Sequence, residues 1–180
     1  FKQINTPGYY TKTIYYKTPL GIQSFDQQVF EVKQDQPKEQ AMLVVEGKET
    51  IGIQFIDTEY LFDKRKGLVS IQVNDEEILQ QAPKPVFYRA LTDNDRGAKQ
   101  TYANWLNASL FQNVVDFKMI RNSKCAQMIY TIQLESIEEE CKLVYTVYNN
   151  QSIQIQLHLD KNSQRQTLPL FGIEFALKEE

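Results

Sequence analysis

The residues best suited to chemistry lie in one short segment, PVFYRALTDNDRG, at positions 85–97. Asp93 and Asp95 could form a carboxylate pair for hydrolysis, which needs two acids whose environments move their pKa values apart. Arg89 and Arg96 lie beside them in the sequence, and neighbouring cations favour the ionised form of a carboxylate. Neither aspartate is then a good proton donor, so the segment does not predict a catalytic acid.

Two other interpretations of this segment need no catalysis. A helix-loop-helix calcium site requires glycine at its sixth position and glutamate at its twelfth. Counted from Asp93, those positions hold Ala98 and Asn104, so we predict no metal site. Aspartate and asparagine side chains also hydrogen-bond their own backbone turns and helix starts. The segment could therefore equally be a self-contained turn that opens a helix after Gly97.

Other chemistry-bearing side chains are few. His158 is the single histidine, so a two-histidine metal site cannot form within the chain, and its place on the polar side of a strand indicates a solvent-facing residue. Cys125 and Cys141 have no CxxC spacing for zinc and are too few for a disulfide framework. We expect both to be free thiols in a reducing compartment.

Composition limits the classes of protein. Hydrophobic residues make up 42% of 180, which is typical of a globular chain. Lys plus Arg total 20 and Asp plus Glu total 23, and the net charge of −3 argues against a nucleic-acid partner. No apolar run reaches the roughly 18 residues of a membrane-spanning helix. The chain opens with Phe1 rather than an initiator methionine, so we expect it to be part of a longer protein.

Alternation of apolar and polar residues predicts a β-rich fold. In residues 152–160, four aliphatic side chains at every second position alternate with polar ones, as in a strand with one buried face. Frequent short strands separated by polar turns indicate an antiparallel sandwich. Further strands are predicted at 9–16, 41–45, 50–56, 60–63, 68–73, 114–120, 128–134, 141–148 and 170–177.

Two segments interrupt this pattern. Residues 99–112 place Tyr102, Trp105, Leu106 and Leu110 at helical spacing, which predicts one amphipathic helix with Trp105 in the core. Residues 33–40, KQDQPKEQ, carry no aliphatic or aromatic side chain and read as a linker. The sequence therefore predicts a domain boundary near residues 35–40.

The segment 85–97, the stretches on either side of it and a stretch near the N-terminus together resemble a known family. The segment 85–97, preceded by YLFDKRKGLVSIQVNDEEIL and followed by NWLNASLF, resembles the start of the small-chain domain, also called domain 5, of glycoside hydrolase family 2 β-galactosidases of the LacZ type. Residues 9–33, notably GIQSFDQQVFEV at 21–32, are similar to the closing strands of the immunoglobulin-like domain 4 that precedes it. Tyr88 stands where the family often has tryptophan, and Leu91 where it often has proline.

The resemblance implies a fold and a division into domains. The expected fold is all-β, an antiparallel β-supersandwich like that of galactose mutarotases, with one short helix and strands of a preceding immunoglobulin-like sandwich. Residues 1–36 would be the last strands of that sandwich or an N-terminal arm. Residues 40–180 would be the small-chain supersandwich, truncated at its C-terminus.

The resemblance also implies a function for the longer protein. Family members hydrolyse terminal β-D-galactosides such as lactose by a retaining mechanism, with both catalytic glutamates in a separate barrel domain. No catalytic residue is then expected in this chain, and the fragment alone should be inactive. It should bind no cofactor, whereas magnesium and sodium are implied for the complete enzyme. The implied partners are the rest of the β-galactosidase chain, galactoside substrate and further copies in a homo-oligomer, in the bacterial cytoplasm and without nucleic acid or membrane.

For the opening segment, the resemblance implies a wall and a mobile loop next to the active site. Its foot would be formed by Arg89, Asp93, Asn94 and Asp95, with Gly97 as hinge and Gly97–Thr101 as the moving part. The alternative is a stand-alone carbohydrate-binding or scaffolding β-sandwich module. A mutarotase-like epimerase is disfavoured by the single histidine. The predicted substrate-loop residues are Arg89, Asp93, Asn94, Asp95, Arg96 and Gly97.

Overall fold

The computed structural model describes residues 8–18, 21–32, 39–97, 102–160 and 168–178. The chain divides into two compact units, residues 1–38 and 39–180. In the first unit, strands β1 (Gly8–Thr18) and β2 (Gly21–Val32) form an antiparallel hairpin whose register shifts between Ile14 and Tyr15. That this unit ends an immunoglobulin-like sandwich, and that the second unit is a truncated supersandwich, stay predictions.

The described part of the second unit consists of eleven strands, two short α-helices and one 3-10 helix at Glu135–Ile137. The helices are α1 (Asp93–Gly97) and α2 (Ala103–Leu110). Neither is long and apolar enough to cross a membrane. The strands are β3 (Leu43–Glu46), β4 (Thr50–Gln54), β5 (Thr58–Asp63), β6 (Gly67–Val73), β7 (Glu76–Glu77), β8 (Leu79–Val86), β9 (Asn113–Arg121), β10 (Cys125–Leu134), β11 (Glu139–Tyr148), β12 (Ile153–Leu159) and β13 (Gly172–Leu177).

The strands of the second unit form three antiparallel sheets. Their orders are β3-β4-β5-β6-β7, β12-β11-β10-β9 and β13-β8. The prediction of an all-β antiparallel fold is confirmed. The expected single helix over 99–112 is corrected in two ways: α2 is shorter than predicted, and a further helical turn, α1, precedes it inside the segment 85–97.

An aromatic core joins the five-stranded and four-stranded sheets. The rings of Phe62 on β5 and Tyr145 on β11 lie 5.4 Å apart, and Tyr130 on β10 meets Tyr145 edge to face at 5.7 Å. The Tyr130 hydroxyl donates to the Asp63 carbonyl at 3.1 Å. Burial raises the pKa of all three core tyrosines, Tyr60, Tyr130 and Tyr145, that of Tyr60 to about 12. These phenols therefore stay neutral and contribute packing.

The alternating pattern explains the strands that the sequence predicted. On β10, every second residue from Ala126 to Leu134 is buried and the intervening residues are half-buried, as a strand between two neighbours requires.

The turn that leads into β6 ends at Gly67, whose φ of 90° suits glycine. A Cβ added at this position would lie 3.1 Å from the Tyr145 hydroxyl oxygen.

The sequence did not predict β8, because Pro83 and Pro85 interrupt it. Proline lacks the amide hydrogen that a central strand needs, so it is confined to edges and irregular positions. The structure satisfies this rule, since among the described strands β8 pairs with β13 alone, in a two-stranded sheet. This strand ends directly before the segment that carries the candidate site.

Candidate functional site

Helix α1 begins after a reciprocal cap between Thr92 and Asp95. The Thr92 amide donates to Asp95 Oδ2 at 2.8 Å, and the Asp95 amide donates to Thr92 Oγ1 at 3.3 Å. This is the capping-box arrangement, with aspartate in place of the usual glutamate. The Thr92 carbonyl then accepts the first helical bond from the Arg96 amide at 3.1 Å. The threonine to aspartate spacing therefore starts the helix and orients the Asp95 carboxylate.

Asp95 is the centre of the site. Its side chain is only 11% exposed. Arg89 Nη1 donates to Oδ2 at 2.6 Å and Nη2 to Oδ1 at 3.3 Å, which is a two-point ion pair. The hydroxyls of Thr92 and Tyr102 add bonds of 2.7 and 3.1 Å. These contacts, that with Arg89 first, hold the pKa of the Asp95 carboxyl well below its usual range.

Arg89 connects this cluster to a distant part of the chain. Its Nε donates to the Pro169 carbonyl at 3.1 Å, and its Nη1 also donates to the Ala90 carbonyl at 3.1 Å. Pro169 is 80 residues away in sequence. The guanidinium therefore joins the segment before α1 to the segment before β13, while it neutralises Asp95.

The remaining predicted site residues lie at the surface. Asp93 is 98% exposed and Arg96 is 68% exposed, and the two form an ion pair at 3.3 Å within α1. Asn94 is exposed as well. The structure thus brings Arg89 and Asp95 together but places Asp93, Asn94 and Arg96 outside their cluster. The proposed moving part continues into residues 98–101, which lie outside the described residues, and Gly97 is the last residue of α1.

Tyr102 is the site residue whose role the sequence did not reveal. It is 6% exposed and has φ 47° and ψ 20°, the left-handed region, which is unusual for a bulky residue. Its carbonyl accepts the amides of Trp105 and Leu106 at 3.1 and 3.0 Å, so it starts α2. Because its hydroxyl donates to Asp95, the Tyr102 side chain joins α1 to the start of α2. Burial, with the bond to Asp95, raises the pKa of the Tyr102 phenol.

Helix α2 is fixed to the end of β8 by a second set of polar contacts. Ser109 Oγ accepts from the Phe87 amide at 2.9 Å and donates to the Trp105 carbonyl at 2.8 Å. Gln112 Nε2 donates to the Pro85 carbonyl at 2.8 Å. Trp105 is fully buried with its ring 6.0 Å from that of Phe87. Its predicted place in the core is confirmed.

The geometry around Asp95 suits a role in holding neighbouring segments in place and does not suit proton transfer. Asp95 is ionised and bonded at both oxygens, whereas Asp93 faces water, so the two do not form the opposed pair that acid and base catalysis needs. His158 is exposed on β12, and Cys141 is buried with its pKa raised to about 12 by burial. Within the described ranges, no three His, Cys, Asp or Glu side chains are grouped closely enough to hold a metal ion.

Comparison with known proteins identifies the family. Residues 55–180 match the protein family described as beta galactosidase small chain. The chain belongs to this family. The matched region includes α1, α2 and every predicted site residue, together with Thr92 and Tyr102.

Three relatives show how the chain compares with longer family proteins. It is 30% identical over 164 residues to a beta-galactosidase of Clostridium acetobutylicum, covering 87% of this chain and 18% of that protein. It is 33% identical over 144 residues to a beta-galactosidase of Halalkalibacterium halodurans, covering 76% and 14%. It is 28% identical over 160 residues to the beta-galactosidase small subunit of Latilactobacillus sakei, covering 76% and 50%. The chain therefore spans at most half the length of these relatives.

Proposed function

We propose that this chain is a non-catalytic region of a β-galactosidase that hydrolyses terminal β-D-galactosides such as lactose. The match of residues 55–180 to the small-chain family carries this proposal. It is supported by full-length relatives named beta-galactosidase, of which the shared region makes up 18% and 14%. A region of that size leaves ample chain for a separate catalytic domain.

The proposal assigns the chemistry to residues outside this chain. The resemblance to the LacZ type favours a retaining mechanism with two glutamates in a barrel domain, and the saturated Asp95 carboxylate supports a structural role here. On that resemblance, magnesium and sodium would be held by other parts of the complete enzyme. On the same resemblance, we propose that residues 1–36 end domain 4, that residues 40–180 begin domain 5, and that the whole enzyme is a cytoplasmic homo-oligomer.

We further propose that the segment around α1 supplies a wall and a loop beside the galactoside pocket. The loop would start at Gly97, whose lack of a Cβ permits hinge motion. The cluster of Arg89, Asp95 and Tyr102 would hold the two ends of this loop. Asp95 accepts hydrogen bonds from Arg89 and from the Tyr102 hydroxyl. These bonds support that role, because Asp95 lies in α1 and Tyr102 starts α2.

The activity is tested with the complete polypeptide that contains these residues. We expect it to release galactose from lactose, and nuclear magnetic resonance of the first product formed should show the β-anomer, as retention requires. The 180-residue chain should show no turnover in the same assay. A complete polypeptide that binds sugar without cleaving lactose would contradict the proposal and favour a carbohydrate-binding module.

The hinge is tested by Gly97→Ala in the complete polypeptide. Hinge substitutions change kcat and KM together, so both should shift. Gly172→Ala is a matched control, because an added Cβ at Gly172 meets no atom within 4 Å. If Gly97→Ala and the control both keep wild-type kinetics, the loop assignment is wrong.

A further inference from the structure

An open apolar groove lies among five strands of the second unit. Its volume is about 560 Å³, and the residues that line it come from β5, β6, β8, β12 and β13 and the connections beside them. Phe175 and Leu177 on β13 are each 49% exposed there. The aliphatic residues Ile153 and Ile155 on β12 reach the groove and are only half-buried. Among the described residues, no further layer covers these apolar side chains.

The two hydroxyl groups that line the groove, those of Thr58 and Tyr60, are already paired with Gln151. The Tyr60 hydroxyl donates to the Gln151 carbonyl at 2.6 Å, and Thr58 Oγ1 donates to Gln151 Oε1 at 2.7 Å. A sugar needs free donors and acceptors, because its hydroxyls must be hydrogen-bonded when they are buried. The groove therefore suits an apolar protein segment better than a galactoside.

Strand β12 forms one wall of the groove and is the last strand of its sheet within the described residues. Its sequence, IQIQLHL, has no proline, lysine, aspartate or glutamate, and its ladder to β11 keeps one register from Ile153 to Leu159. Natural edge strands are usually protected by charge, proline, a bulge or short length, because their open backbone groups accept another strand. Strand β12 has none of these features.

The other outer strands contrast with β12. At the opposite edge of the same sheet, β9 carries Asp116, Lys118 and Arg121, and its ladder shifts register. In the five-stranded sheet, the outer strands β3 and β7 have only four and two residues. Strand β8 carries two prolines, and β13 pairs with it irregularly. Among the described outer strands, the long, regular and unprotected edge is therefore that of β12, which borders the apolar groove.

We propose that a further β-strand of the β-galactosidase polypeptide, outside these 180 residues, pairs with β12 and inserts alternate apolar side chains into the groove. This inference rests on the proposed function. The shared region makes up 50% of the Latilactobacillus sakei small subunit and 18% of the Clostridium acetobutylicum protein, so such relatives have further chain to supply the strand. Pairing would satisfy the open backbone groups of β12, and its side chains would cover Ile155 and Phe175.

Hydrogen exchange compares the complete polypeptide with the 180-residue chain. The alternate β12 amides that do not bond β11 should exchange roughly tenfold or more slowly in the complete polypeptide, because a paired amide exchanges only when its strand opens. Amides of the interior strand β10 are the internal control and should change little. Equal exchange of β12 in the two proteins overturns the proposal, and so does protection in the 180-residue chain that grows with its concentration, which would indicate a second copy as the occupant.

A pair of substitutions gives a second measurement. Phe175→Gln should lower the melting temperature of the complete polypeptide by several degrees and that of the 180-residue chain much less, because only the complete protein would cover this side chain. Glu174→Gln on the same strand is the control, since its ion pair with Lys84 is exposed. Equal shifts for Phe175→Gln in both proteins overturn the proposal. If the complete polypeptide cleaves lactose while its β12 edge stays unpaired, only this inference is contradicted. If the complete polypeptide does not cleave lactose, the proposed function is contradicted.

Discussion

The site around Asp95 satisfies its polar groups with neighbouring residues, whereas the groove beside β12 leaves apolar side chains exposed. Asp95 has bonds from Arg89, Thr92 and Tyr102, so a charged group is satisfied within one short segment. In the groove, Phe175 is half-exposed, and within the part of the chain that the structure describes, one edge of β12 pairs with no other strand. Local hydrogen bonds can be formed by neighbours in sequence, whereas covering an apolar face requires another layer of structure. The polar site should therefore behave alike in the short and long proteins, and the groove should not.

Truncation of the closed core should have the largest effect. Phe62 is fully buried against Tyr145, so Phe62→Ala should cost about 3–5 kcal/mol of unfolding free energy. In the 180-residue chain, Phe175→Ala should cost about 1 kcal/mol, since that ring is already half-exposed. Urea denaturation of both variants measures the difference. Similar losses would show that the groove is as well packed as the core.

Neutralising Asp95 should have the next largest effect. Asp95→Asn removes the charge that pairs with Arg89 and weakens the bonds from Thr92 and Tyr102. We expect a lower urea midpoint in both the short and long proteins. Asp93→Asn is the matched control and should leave the midpoint unchanged, because Asp93 is 98% exposed. A loss confined to the complete polypeptide would contradict a self-sufficient site.

The same pair predicts a pH dependence. The folded-state pKa of Asp95 is lowered, mainly by Arg89, so its contribution is fully present above the unfolded value of about 4 and is lost as pH falls below it. The stability difference between wild type and Asp95→Asn should be constant above about pH 5 and shrink at lower pH. Denaturation at several pH values measures this difference. A stability difference that increases as the pH is lowered would contradict the role given to the ion pair.

Removing one hydroxyl should have the smallest effect. Tyr102→Phe keeps the ring and the helix start but deletes the bond to Asp95. The urea midpoint should fall less than for Asp95→Asn, which changes three contacts. The double variant should then lose less than the sum of the two single losses, because both act on one bond. Full additivity would mean that Tyr102 and Asp95 are not coupled.

The alternation of apolar and polar residues predicted most of the strands but did not predict β8, which contains two prolines. Strands β10 and β12 follow the apolar periodicity, because in each one face is more buried than the other. In β11 the alternation is lost, because every residue from Leu143 to Val147 is buried. Strand β8 was missed because prolines usually exclude a central strand, and the structure places it at an edge. The extra helix α1 could have been inferred from Thr92 and Asp95, whose spacing matches a capping box.

The candidate site was predicted only in part, since charge alone does not separate Asp93 from Asp95. Both lie near arginines in sequence, but the cap at Thr92 turns Asp95 inward and leaves Asp93 in water. The contact with Tyr102 depends on a left-handed backbone, and that from Arg89 to Pro169 spans 80 residues. Neither has a local sequence signal, so both required the folded structure.

The central claim, that this chain supports a galactoside pocket built by other residues, is tested most directly by complementation. Lactose hydrolysis is measured for the remainder of the polypeptide alone, for residues 1–180 alone, and for the two mixed. We expect no turnover from residues 1–180, a strongly reduced rate from the remainder, and recovery on mixing. Turnover by the 180-residue chain alone, or an undiminished rate for the remainder without it, would contradict the account.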